Sequence, residues 1–135
     1  TAMNYASPIQ KDKESSDADY NRALEFCVEN IDNMAVCAGT HNEASSLKLV
    51  ELMAAKKLVN DDKRIFFSQL LGMSDHISYN LANAGYNVAK YVPYGPVRAV
   101  LPYLSRRAQE NSSVKGQVGR ELRLITEELT RRGKK

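Results

Sequence analysis

Tyr103, Arg106, Arg107 and Glu110 recur at i, i+3, i+4 and i+7, so a helix through this stretch would put an aromatic hydroxyl, two guanidiniums and a carboxylate on one face. That set suits a small carboxylate ligand: paired guanidiniums bind it bidentately and neutralise it, while the Tyr and the Glu hold the planar forks in place. Adjacent arginines on a helix more often form a solvated face. Here they adjoin an apolar stripe, Val97, Leu101, Leu104 and Ala108, and that neighbourhood favours a held pair.

The remaining candidates are read from position, because no GxGxxG, Walker A, CxxC, HExxH or GxSxG motif occurs and no metal-ligand spacing is present. Thr40 and His41, then Gln69 and Leu70, then Tyr91, each fall where an apolar run ends. His41 could hydrogen-bond a ligand phosphate or hydroxyl, or could equally cap its own loop. His76 reads as an exposed residue early in a helix, and Asp75 as a first-turn partner of the helix dipole. Lys90 and Tyr91 alternate along a strand, so one should face enclosing helices and the other the strand-end mouth; Tyr91 as plain core packing is an equal alternative.

The elements that position these residues alternate along the chain. Residues 1–14 read as a loop or stub, and Ser15 or Ser16 as the cap of a helix with Tyr20, Leu24, Cys27, Val28 and Ile31 on one face, ended by Asp32 and Asn33. Met34 to Ala38 is a short apolar run of the kind buried on both faces of a parallel sheet. Asn42 caps the next helix, whose inward stripe is Leu47, Val50, Ala54 and Leu58. Ile65 to Leu71 gives a second strand, Ser74 caps a short helix with Ile77, Leu81 and Ala84, and Gly85 stops it. Asn87 to Val92 gives the third strand. Pro96 suits the first position of the arginine-bearing helix, which Pro102 should kink. A break at 111–119 precedes a terminal helix over 117–132.

The result is an α(βα)3 core over 15–111, an α/β pattern with parallel strands and right-handed crossovers, in which ligands gather at the C-terminal ends of the strands. Three strands leave two raw edges, so the sheet should be part of a larger one. With 135 residues and 43% hydrophobic content, the chain has material for one core and reads as one unit. A net charge of +3, with 19 basic and 16 acidic residues spread evenly, makes no demand for nucleic acid. Cys27 and Cys37 read as reduced core thiols, which points to an intracellular compartment. No apolar run approaches the ~18 residues of a membrane span and the N-terminus lacks a signal-peptide pattern, so a soluble or peripheral protein is expected.

The segments GTHN at 39–42, QLLGMSDHIS at 69–78, YVPYGPV at 91–97 and YLSRRAQEN at 103–111 together resemble the C-terminal part of proline dehydrogenase, over essentially residues 5–128. The most specific is YLxRRxxEN with a Tyr twelve residues upstream of its own Tyr. The resemblance implies a distorted (β/α)8 TIM-like barrel, of which this chain would supply about strands 6 to 8 and helices 5 to 8, plus the terminal helix. It also implies FAD as cofactor, oxidation of L-proline to Δ1-pyrroline-5-carboxylate by hydride transfer to the flavin, and electrons passed to a quinone acceptor.

By the same resemblance Arg106 and Arg107 would grip the proline carboxylate, Tyr91 and Tyr103 would wall the ring pocket, and Leu70 would pack near proline or flavin. Thr40 and His41 would contact the phosphate and ribose portion of FAD. Glu110 would pair with an arginine, help hold that helix closed as a lid, and belong to the cofactor-facing set. A Tyr at position 91 favours proline, because related hydroxyproline dehydrogenases resemble one another in a smaller residue there.

The pattern departs from the family in one respect. The first five strands, with the catalytic Lys and Asp and the basic residues that hold the flavin, have no counterpart, so no catalytic residue is expected in this chain. A split or fragment chain is expected, completed by a partner carrying the N-terminal half of the barrel. Its location would be the matrix side of the mitochondrial inner membrane or the cytoplasmic face of a bacterial membrane, with peripheral membrane contact through the terminal helix. Two other readings compete: hydroxyproline dehydrogenase, and a basic α/β binding module without redox activity that grips a phosphorylated partner.

Overall fold

The computed structural model describes residues 10–113 and, in the C-terminal stretch, 123, 126–127 and 129–133; for 108 and 110–113 it describes the backbone only. The chain divides into two compact units, Thr1–Lys90 and Tyr91–Lys135. The first carries α1 (Lys13–Glu29), β1 (Val36–Gly39), α2 (Glu43–Ala55), β2 (Ile65–Leu70), α3 (Asp75–Asn83) and nearly all of β3 (Val88–Tyr91). The second carries α4 (Val97–Ser113). The strands form one sheet in the order β1-β2-β3, and β1 pairs β2 in parallel from Val36 opposite Ile65 to Gly39 opposite Ser68. The alternation of strand and helix is therefore as expected.

Local chemistry starts each helix. Asp12, not Ser15 or Ser16, caps α1: its side chain accepts from the Ser15 N–H at 2.8 Å, and a carboxylate at this position also meets the positive end of the helix dipole. Asn42 caps α2 as expected, accepting from the backbone N–H of Ala44 and Ser45. Gly85, at φ +86, terminates α3 in the left-handed conformation that a Cβ disfavours. Pro96 stands one residue earlier than expected, as the residue whose carbonyl accepts the first helical bonds of α4, from Ala99 and Val100. α4 also runs on to Ser113, through the start of the expected break. The expected terminal helix over 117–132 falls largely outside the described residues; those described there are helical.

Burial corrects the expectation of strands covered on both faces. Val36, Ala38, Ile65, Phe67 and Gln69 are buried, while Cys37, Gly39, Phe66, Ala89 and Tyr91 are exposed, so helices cover one face of the sheet and the other lies open. The core between sheet and helices joins Leu24, Val28 and Ile31 to Leu49, Met53, Ile77 and Leu81, and Phe67 at its centre meets Tyr86 edge-on at 5.5 Å. The α1 stripe is as expected, although the helix ends at Glu29.

For α2 the inward residues are Ser46, Leu49 and Met53, spaced i, i+3 and i+7, and Leu47 is 54% exposed. The inward face is turned by about a third of a turn from the expected stripe, of which Val50 and Leu58 still pack against the core at its edge while Leu47 and Ala54 are exposed. Cys37, on the open face of β1, is an exposed thiol, and Cys27 is half-buried; both are free.

Candidate functional site

The sequence places its polar candidates at strand ends, and the first unit draws several of them into one hydrogen-bonded cluster. Thr40 ends β1: its N–H donates to the Ser68 carbonyl at 3.2 Å, and its hydroxyl accepts from the Asn42 N–H at 3.0 Å. His41 Nδ1 lies 2.9 Å from Ser74 Oγ across the sheet end. Gln69 is 2% exposed and faces the helices; its Nε2 donates to the Thr40 carbonyl at 3.3 Å and its Oε1 accepts from Ser78 Oγ at 2.9 Å. A polar side chain on the covered face of a strand must find such partners, since an unpaired buried amide is destabilising by about 1–3 kcal/mol. Ser74 was expected to cap α3. It holds that position, but its side chain makes no capping bond and turns to His41 instead.

Lys90 fastens the same corner from the other side. Its Nζ donates to the Met73 carbonyl at 2.8 Å and pairs with Asp75 Oδ1 at 2.7 Å, with a longer contact of 3.5 Å to the Leu70 carbonyl. Asp75 is thus a partner of Lys90 as well as a first-turn acid. Lys90 and Tyr91 point to opposite faces, as the alternation required, and Tyr91 is the exposed one. Leu70 ends β2 half-buried. His76 is half-buried, where exposure was expected.

The second unit brings three of its five candidates together. Tyr91 and Tyr103 meet edge-on, with ring centroids 6.0 Å apart and planes at 71°, the geometry in which a positive ring edge meets a negative ring face. Arg107, one turn beyond Tyr103, lays its guanidinium over the Tyr103 ring at 5.3 Å, within the ~6 Å reach of a cation–π contact. The two arginines therefore differ: Arg107 is half-buried on an aromatic support and Arg106 is exposed. Glu110 lies on α4, and its side chain falls outside the described residues. The apolar stripe beside them is uncovered, with Val97 74%, Leu101 56% and Leu104 43% exposed. It was expected to face inward.

Sequence reasoning passed over Ser78 and the role of Lys90. The signals were available: Ser78 stands one turn after Ser74, and both Gln69 and Lys90 are polar residues within apolar strands. Among the described residues no group of acidic, His or Cys side chains is arranged to hold a metal ion.

The donor chemistry at the end of β1 suits a phosphate-bearing ligand. Thr40 and His41 precede the N-terminus of α2, and Ser45 in its first turn has a buried hydroxyl with no partner among the described residues. Fold and site thus define an α/β protein with a polar, hydrogen-bonded strand-end face and, later in the chain than its last strand, an aromatic-supported guanidinium.

Comparison with known proteins makes this specific. The proline dehydrogenase family model matches residues 1–120, and the chain belongs to that family. It is 45% identical over 133 residues to mitochondrial proline dehydrogenase 1 of Homo sapiens and 44% identical to that of Bos taurus, in each case over 96% of this chain and 22% of the relative. It is 43% identical to hydroxyproline dehydrogenase of Xenopus laevis, over 95% of this chain and 28% of the relative. The crystal structure of proline utilization A from Bdellovibrio bacteriovorus, inactivated by N-propargylglycine, superimposes with a TM-score of 0.74 at 25% identity, over 84% of this chain and 12% of that one. The chain thus spans 22% to 28% of the length of these curated relatives.

Proposed function

We propose that this chain forms the C-terminal part of a (β/α)8 proline dehydrogenase barrel, about strands 6 to 8, and supplies substrate- and cofactor-binding residues to an FAD-dependent oxidation of L-proline. The observation that carries the proposal is the Tyr91–Tyr103–Arg107 stack, in a chain of this family. Arg107, desolvated on one side by the ring, is oriented before any ligand arrives, so less freedom is lost when it grips a carboxylate. Arg106 adds the second fork, and Tyr91 and Tyr103 wall the ring of the substrate.

On the cofactor side, Thr40, His41 and the first turn of α2 would hold the phosphate and ribose portion of FAD, with Leu70 packed near the reacting groups and Glu110 joined to an arginine. Bound FAD would supply the hydride acceptor, with electrons leaving to a quinone. The residues of this chain bind, orient and exclude water; they move no proton, and the catalytic groups belong to the rest of the barrel. The open sheet face, with Phe66 and Tyr91 exposed, is the face that the remaining strands would cover. Those strands come from sequence beyond these residues, on the same polypeptide or on a partner. The mitochondrial relatives favour a mitochondrial setting, with peripheral contact to the membrane that holds the quinone.

The test is bleaching of the flavin by proline in the complete enzyme. Arg106→Lys and Arg107→Lys should each raise KM for proline by about 10- to 100-fold, the weight of a charge-assisted hydrogen bond of roughly 1.5–3 kcal/mol. A complete protein that holds no flavin, or Lys variants with unchanged KM, would sink the proposal. The identity to hydroxyproline dehydrogenase supports a second reading. Faster turnover of hydroxyproline than of proline by the unaltered enzyme, with no gain from Tyr91→Ser, would favour it.

A further inference from the structure

Ser74 adopts a backbone conformation that its sequence position does not call for. An N-cap residue ordinarily takes an extended conformation and turns its hydroxyl to the N–H groups of its own helix. Ser74 sits at φ 51 and ψ 41, in the left-handed region that residues with a Cβ enter at a penalty, and makes no side-chain cap bond. It is 3% exposed. Such a conformation persists where the surroundings impose it.

The surroundings do impose it. The Ser74 carbonyl accepts from the N–H groups of Ile77 and Ser78 at 3.1 and 3.2 Å, and lies 3.3 Å from Ser78 Oγ, whose single proton goes to the nearer Gln69 Oε1. Ser78 Oγ is fixed in turn by Gln69. The preceding carbonyl, of Met73, and the following side chain, of Asp75, are both held by Lys90. This framework leaves the Ser74 hydroxyl aimed across the sheet end at His41 Nδ1, 33 residues earlier in the chain.

We propose that Ser74 is a positioning residue for His41: the β2–α3 turn is locked in a left-handed conformation so that its buried hydroxyl fixes the plane and orientation of the imidazole toward the phosphate-bearing ligand. The hydrogen bond on one ring nitrogen sets what the other ring nitrogen presents. The inference rests on the proposed function for the identity of the ligand, but not for the coupling between the two residues.

The experiment is a double-mutant cycle in the complete enzyme, read as the FAD dissociation constant by fluorescence quenching. Ser74→Ala should weaken FAD by about three- to tenfold, the weight of one neutral hydrogen bond. In a His41→Ala background the same change should add less than about twofold. Ser74→Gly should lose the same affinity while melting no lower than Ser74→Ala, because glycine relaxes the positive φ; a role in the fold alone would move stability and affinity together. The 15N shift of His41 Nδ1, which needs no flavin, should move in Ser74→Ala.

An equal loss of affinity in the His41→Ala background, or an unmoved Nδ1 shift, overturns the proposal. A His41→Ala enzyme that binds FAD as tightly as the unaltered one overturns instead the placement of His41 against the cofactor, and the Nδ1 shift still decides whether Ser74 orients the ring.

Discussion

At the strand ends of the first unit, Gln69, Ser74 and Ser78 are at most 3% exposed and each is hydrogen-bonded to another member of the cluster, so Thr40 and His41 stand on a fixed base. On α4 the apolar stripe is largely exposed, and what orders the candidate residues is a stack of two tyrosines and one guanidinium. The first arrangement is built from directional bonds that tolerate little displacement; the second is built from softer contacts. A cofactor that stays bound through many turnovers suits a rigid base, and a substrate that enters and leaves suits a support that keeps one arginine aligned without sealing it in. The contrast makes different demands on the two regions, and substitutions should separate them.

The largest effect is expected at the centre of the first unit. Phe67 is fully buried and edge-on to Tyr86, so Phe67→Ala should destabilise the chain by about 3–5 kcal/mol, measured by urea denaturation. Next comes Asn42→Ala, which strips two backbone N–H groups of their acceptor at the start of α2 and should lower stability by about 1 kcal/mol. It should also weaken FAD in the complete enzyme, because the cap orders the loop that carries Thr40 and His41. Tyr103→Leu should behave in the opposite manner: stability changes by less than about 0.5 kcal/mol, while the lost cation–π support, about 0.5–1 kcal/mol, raises KM for proline by two- to fivefold. If Tyr103→Leu destabilised the chain as much as Asn42→Ala, the contrast between a rigid base and a soft support would be wrong.

Much of this was legible in the sequence, and the parts that were not have physical reasons. The strand–helix alternation, the α1 stripe, the Asn42 cap and the Gly85 stop follow from local periodicity and local bonding, which a single segment contains. The apolar runs of the strands were read as buried on both faces, but a short apolar run does not say which of its faces is covered, and here one face is open. The same holds for Val97, Leu101 and Leu104, whose apolar stripe is real but uncovered. Ser46 is buried and Leu47 exposed on α2, a difference that apolar periodicity could not register because it gives a serine no weight as an inward residue.

At the site, Thr40, His41, Leu70 and Tyr91 do fall at strand ends and Arg107 does rest on Tyr103. The spacing of Tyr103, Arg106 and Arg107 put both guanidiniums within a turn of the ring, and only the structure shows that Arg107 is the one that lies over it. The left-handed Ser74 could not be read from its own segment alone, because two of the side chains that fix its surroundings, Gln69 and Lys90, lie on β2 and β3.

The smallest expected effect separates the rigid base from the end of the sheet opposite it. Asp62, before β2, accepts hydrogen bonds from the Arg64 backbone N–H at 3.0 Å and from its guanidinium Nε and Nη2 at 2.9 and 2.7 Å, and Arg64 also reaches Asp32. These bonds, led by that to the guanidinium, hold the Asp62 carboxyl down to about 2, against about 3.9 for a free aspartate. Because the folded value is the lower one, the pairing contributes its full stabilisation above about pH 4 and loses it as pH falls through about 2. Arg64 and Asp32 are well exposed to solvent, which screens the pair and keeps the effect small. Thermal melting between pH 5 and pH 2.5 should therefore fall slightly less steeply in Asp62→Asn than in the unaltered chain, and 1 M salt, with a screening length of about 3 Å, should narrow the difference. Thr40 and His41 lie at the other end of the strands, so the FAD dissociation constant of the complete enzyme at neutral pH should be the same for Asp62→Asn as for the parent. A change there would mean that the two ends of the strands are mechanically coupled, and that the base beneath His41 is less rigid than its hydrogen bonds imply.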